Sequence, residues 1–244
     1  MRTSFQDIPG KNKRCFYDEK GHRVHGKQKI YGDECYFNKK TGRLESRIMD
    51  ITYIHQSHGV WKNGQWTHRE ITSARSYSGS PLRYSACGLC SCAMAVTAIT
   101  HKLVLPTHLN SKMCGYTGGG YSTHPGVPVA KKYGLSAKLR SLTKKELIDQ
   151  LFHGRYVVVW VFRSIYGGGG NNQGGDTGAT GHSHMVLIHG YKNGKFAIAD
   201  PNNLSQSYVP RKNLKYYSTF NNHLARGKDR SYCVITKKLD KKKK

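Results

Sequence analysis

The chain has 244 residues, with 40 Lys+Arg against 14 Asp+Glu for a formal charge of +26; at 37% hydrophobic it can build a packed core, which excludes wholesale disorder. The longest apolar run, Tyr156 to Phe162, is far short of the roughly 20 residues a bilayer helix requires. The opening MRTSFQDIPGKNK carries no apolar signal-peptide core, so no membrane span and no standard export are expected.

In chain order, the first feature is a repeat: CFYDEKG at Cys15–Gly21 returns as CYFNKKTG at Cys35–Gly42, a period of 20. Each copy reads as a short strand entering a tight turn, so two successive hairpins are expected. With HRVHGKQKIYGDE between them, residues 14–46 resemble the glucan- and choline-binding-type repeats of cell-wall proteins, although cysteines stand where those repeats place Trp or Tyr. A plain β extension packed on the main body is the competing reading. Cys15 and Cys35 hold equivalent positions, which makes a disulfide between them conceivable.

From residue 50 the pattern becomes mixed. YIHQSHGVWKNGQW (53–66) is extended chain around an Asn63-Gly64 turn. A helix rich in Ala and small residues runs from Gly88 to Thr100, beginning directly at Cys87, and a second spans Val127 to Tyr133 before Gly134. The third is marked by a Thr143/Glu146 capping box, a Leu142/Leu147 staple and Gly154 beyond its end. Strands follow at 156–162, 184–191, 195–200 and 231–236. The first is apolar enough to be buried on both faces, and the next two form a hairpin through Asn193-Gly194. The segment from Ser164 to Gly181 holds eight glycines and reads as a mobile flap over a cleft; it lacks the ending of a phosphate-binding loop. The KKLDKKKK tail reads as disordered. The expected division is 1–49 for the repeats, 50–236 for an α+β domain and 237–244 for the basic tail.

Seven cysteines are too few for a disulfide scaffold, and their odd number leaves at least one thiol free. A cysteine opening a helix sits where backbone N–H groups and the helix dipole favour its anion, so Cys87 is the candidate nucleophile. Its base is then a histidine on a strand of the same core, oriented by an acid. Residues 50–244 contain only eight acids, and Asp200, at the end of the strand that pairs with GHSHMVLIHGY, is the best placed. A zinc site from Cys87, Cys90, Cys92 and Cys114 has an unusual spacing and splits its ligands across helix faces.

CGLCSCAM at Cys87–Met94, SHMVLIHGY at Ser183–Tyr191 and IADPN at Ile198–Asn202 resemble the three catalytic blocks of the papain-like peptidases related to bacteriocin double-glycine leader peptidases. The resemblance spans residues 50–236. It implies a papain-like fold, with the Cys-bearing helix packed on an antiparallel sheet, and assigns Cys87 as nucleophile, His184 as base and Asp200 as orienter. His184 stands six residues before Gly190, as in the family; His182 is the rival and His189 faces the other way. Gln56 resembles the family's oxyanion-hole glutamine, although the leader peptidases proper carry theirs only a few residues before the Cys. No cofactor or metal is implied.

Together these features point to a peptidoglycan hydrolase of endolysin type, cytoplasmic until holin-type lysis and drawn to anionic wall polymers. A Gly-Gly leader peptidase and a non-enzymatic wall- or nucleic-acid-binding protein are the alternatives; no recognisable nucleic-acid module is present.

Overall fold

The structure, a computed structural model, describes residues 4–8, 13–75, 81–84, 86–110, 124–161, 184–202, 216–218 and 232–238. The Ser164–Gly181 flap, His182, Cys114, Asp176 and the extreme basic tail lie outside these residues.

The N-terminal part is β1 (Ser4–Asp7), β2 (Arg14–Tyr17), β3 (Gly26–Ile30), β4 (Asp33–Phe37) and β5 (Leu44–Ile48). Both repeat copies are a strand followed by a side-chain-capped turn. Asp18 Oδ1 accepts the backbone N–H groups of Lys20 and His22 at 2.9 and 2.8 Å, and Asn38 Oδ1 accepts those of Lys40 and Thr41 at 3.0 and 2.9 Å. Each copy turns back as a hairpin, the first with Tyr17 opposite Arg23 and the Phe16 carbonyl accepting the Val24 N–H at 3.0 Å, the second as β4 and β5, but the two do not stack in one sheet. β2 pairs with β1 in a separate ribbon, whereas β4 sits between β3 and β5. Cys15 and Cys35 are both buried free thiols.

Then come β6 (Ile54–His55), β7 (Gly59–Lys62) and β8 (Gln65–Thr67), which form a small sheet of their own. They are followed by α1 (Cys87–Thr100), α2 (Pro106–Leu109), α3 (Gly126–Lys132), β9 (Ser136–Arg140), α4 (Lys144–Phe152), β10 (Tyr156–Val161), β11 (His184–Lys192), β12 (Lys195–Ala199), β13 (Tyr216–Ser218) and β14 (Tyr232–Thr236). β9 was not anticipated: SAKLR is a short edge strand with exposed Lys138 and Arg140, so it has no continuous apolar signal.

The main sheet is antiparallel, ordered β3-β4-β5-β11-β10-β14-β9, with β12 and β13 branching from β11. β11 is its hub. One edge pairs with β12; the other pairs with β10 over its first half and with β5 at Gly190 and Tyr191. Strands β3, β4 and β5 therefore extend the same sheet as β10 and β11. A second fastening is Arg47, which bonds Asp33 through Nε and Nη2 at 2.8 and 2.7 Å, donates to the Phe152 carbonyl at the end of α4 at 2.9 Å, and lies 4.5 Å from the Phe5 ring.

α1 is buried on nearly every side, which is why it reads as uniformly small and apolar instead of amphipathic. It packs against β10 and β11. Val157, Val158 and Val159 are fully buried, so β10 is covered on both faces. α4 keeps its expected cap: Glu146 N–H bonds Thr143 Oγ1 at 3.3 Å and Thr143 N–H bonds Glu146 Oε2 at 2.8 Å.

Candidate active site

Three elements meet at Cys87. The helix places the sulfur in its first turn, and Ala86 at the N-cap offers no capping side chain. One turn on, Ser91 Oγ donates to the Met185 carbonyl at 3.3 Å, tying α1 to β11 beside His184. His184 opens β11, 4% exposed, and Asp200, 2% exposed, follows the end of β12.

His184 Nε2 lies 2.8 Å from Asp200 Oδ1. The same imidazole hydrogen-bonds the Cys87 side chain, for which Nδ1 is the remaining nitrogen. Burial alone would lower the pKa of His184, yet the charge and hydrogen bond of Asp200, joined by those of Cys87, outweigh it and hold the imidazole up at about 10. An imidazolium this stable favours a thiolate beside it. Asp200 Oδ1 also accepts the Asn202 N–H at 2.8 Å, which fixes the carboxylate from below.

The hairpin alone would not bring these two side chains together. A regular two-residue turn through Asn193-Gly194 pairs Lys192 with Lys195 and would carry that register down to Leu187 opposite Asp200, with His184 facing away. Between Ile188 and Gly190 the register slips by one, so that Leu187 pairs with Ala199 instead. That bulge, at His189, puts His184 and Asp200 on one face. Strand β5 secures it: His189 Nδ1 lies 2.8 Å from the Met49 carbonyl, and Met49 N–H donates to the His189 carbonyl at 2.9 Å. His189 is thus a backbone fastener, not part of the cluster.

Gln56 Nε2 donates to the Arg83 carbonyl at 2.9 Å, in the turn of helix (Leu82–Tyr84) just before Cys87, and its backbone N–H donates to the Pro201 carbonyl at 2.9 Å. It therefore links the segment before Cys87 to the one after Asp200, and its amide keeps a second proton. Tyr53, whose hydroxyl donates to the Asp200 carbonyl, and Asn202 are neighbours that sequence reasoning missed. Tyr53 stands in YIHQ beside Gln56 and Asn202 closes IADPN, but neither side chain announces its part: the Tyr53 hydroxyl meets a backbone carbonyl and Asn202 donates its backbone N–H.

Cys90 and Cys92 are fully buried, and burial raises the Cys90 thiol well above its ordinary pKa, with the Cys87 charge adding to it. Among the described residues no three His, Cys, Asp or Glu side chains are grouped to hold a metal ion, and no helix is long and apolar enough to cross a membrane.

The sequence pattern of the Peptidase_C39 like family matches residues 48–226. Among solved structures, the chain is similar to one described as a candidate C39-like peptidase from Bacillus anthracis, at 17% identity and a TM-score of 0.44, over 63% of this chain and 89% of that one. No curated protein matches it significantly. The family match takes in Cys87, His184 and Asp200 and nearly three quarters of the sequence, so the chain belongs to the Peptidase_C39 like family, a family of cysteine peptidases.

Proposed function

We propose that this protein is a papain-like cysteine peptidase that hydrolyses peptide bonds of bacterial peptidoglycan, with Cys87, His184 and Asp200 as its triad. The observation that supports this most is the chain of contacts from the Cys87 sulfur through His184 to Asp200, with its 2.8 Å imidazole–carboxylate bond. The Cys87 thiolate attacks the carbonyl carbon of the scissile amide. The oxyanion that forms is met by the Cys87 N–H and the spare Gln56 amide proton. The C–N bond breaks as the His184 imidazolium protonates the leaving amine, leaving a thioester on Cys87. Neutral His184 then takes a proton from water, the hydroxide attacks the thioester, and a carboxylic acid leaves as the thiolate–imidazolium pair is restored.

Charge favours a wall substrate. Residues 1–49 carry twelve Lys+Arg against six Asp+Glu, and residues 50–244 carry 28 against eight, so the enzymatic body is itself the basic surface. It suits approach to phosphate-rich wall polymers, with the N-terminal strands as a minimal wall-binding extension.

The test is to incubate purified Gram-positive walls with the wild type and with Cys87→Ser and identify new termini by mass spectrometry. Fragments with new amino and carboxyl termini from the wild type alone support the proposal. Equal release by Cys87→Ser refutes the mechanism. Cleavage of soluble Gly-Gly peptides with intact walls replaces the wall hydrolase by a leader peptidase.

A further inference from the structure

We infer that Tyr53 is a positioning residue: by holding the backbone carbonyl of Asp200, it sets where the Asp200 carboxylate meets His184 and couples that carboxylate to Gln56. The inference rests on the triad proposed above.

The ladder between β11 and β12 ends at the Leu187–Ala199 pair, so Asp200 is the first residue past the last strand pairing. Its position depends on what replaces the ladder. A four-residue stretch supplies it. The Tyr53 hydroxyl donates to the Asp200 carbonyl, and the Gln56 N–H donates to the Pro201 carbonyl at 2.9 Å. Successive residues 200 and 201 are thus each held from 53–56. His55 is suited to a fixed, uncharged part: burial, with the nearby His58, lowers its pKa to about 3, and its Nδ1 accepts the Ser57 N–H at 3.0 Å. Just beyond them, Asn202 donates its own N–H to the Asp200 carboxylate at 2.8 Å.

Tyr53 is itself anchored. It is 3% exposed, its ring centroid lies 6.3 Å from that of Trp66, and its carbonyl accepts the Trp61 N–H at 3.0 Å. The short strand β6 is therefore flanked by Tyr53, which holds the orienting acid, on one side and by the oxyanion-hole candidate Gln56 on the other. A catalytic hydrogen bond needs its partners within about 0.5 Å of the productive position, and a backbone anchored on both sides provides that.

The test compares the wild type with Tyr53→Phe, which removes one oxygen and keeps the ring. The titrating groups facing His184 are Cys87 and Asp200, and His55 faces Asp200 from β6. Two readouts are taken: the titration of the His184 imidazole by NMR on the full chain, and the pH profile of hydrolysis of purified walls. Tyr53→Phe is expected to move the His184 titration, and with it the alkaline limb of kcat/KM, to lower pH by about one unit, and to cut kcat about tenfold at unchanged KM. Pro201→Gly, which loosens the same turn without touching a ring, shifts both in the same direction and serves if Tyr53→Phe does not fold. Trp66→Phe loosens ring packing alone; it lowers Tm and leaves the titration in place. A His184 titration unmoved in both Tyr53→Phe and Pro201→Gly overturns the inference. A shifted titration in a wild-type background that cleaves neither walls nor soluble peptides overturns the peptidase reading and leaves the Tyr53 coupling standing.

Discussion

Gly190→Ala is the most informative single substitution in the sheet. A Cβ at this position would stand 2.6 Å from the Arg47 carbonyl oxygen, 2.7 Å from Ile48 Cδ1 and 2.8 Å from Ile48 Cα. Two of those three atoms are backbone, so no rotamer change makes room, and β5 must move away from β11 by most of an ångström. That movement strains the Met49–His189 bonds that hold the bulge. Overpacking of this kind costs about 2–4 kcal/mol. At about 2–4 °C per kcal/mol for a chain of this size, Tm should fall by about 5–15 °C. The assay is thermal unfolding of the full chain by circular dichroism. Gly194→Ala is the control: it sits in the hairpin turn at φ +80° with nothing within 4 Å of the added carbon, so it costs only the left-handed conformation, about 1 kcal/mol. The reasoning fails if Gly190→Ala unfolds at the parent temperature or is milder than Gly194→Ala.

Asp200→Asn removes the charge that outweighs burial at His184, so the imidazolium is lost at lower pH; the alkaline limb of activity should retreat towards neutrality with at least a hundredfold fall in kcat/KM, measured across a pH series. An unchanged limb would remove Asp200 from the mechanism. Acid should weaken the fold through His55 and His124, whose burial lowers their pKa values to about 3 and about 4. The unfolded chain protonates both near 6.5 while the folded one does not, so stability present above that pH is lost as pH falls towards 4. Urea unfolding at pH 7 and pH 5 should differ by about 2–4 kcal/mol, and His124→Gln should flatten the slope; a pH-independent midpoint would contradict both burial assignments.

The parts of the site that could be read from residue order were those fixed locally. Cys87 at a helix start, the Thr143–Glu146 cap and the Asn193-Gly194 turn each follow from a few adjacent residues. The meeting of His184 with Asp200 does not. It depends on a one-residue slip at His189 that reverses the facing of half a strand, and that slip is held by Met49, some 140 residues earlier. Nothing in HMVLIHGY distinguishes a bulged strand from a straight one except Gly190, whose role is visible only once β5 lies across it. Likewise no local residue pattern signals the pairing of Arg47 with Asp33, which forms once β4 and β5 bury them against the end of α4.

The division of one edge of β11 between β10 and β5 also bears on any attempt to separate the enzymatic body from its N-terminal strands. Cutting near residue 49 would leave the backbone of Gly190–Lys192 unpaired on that side, with the apolar flank of Tyr191 and Phe152 uncovered. An open strand end of that kind is a template for another chain. The shortened protein would thus tend to self-associate, and loss of solubility after truncation would report on sheet continuity.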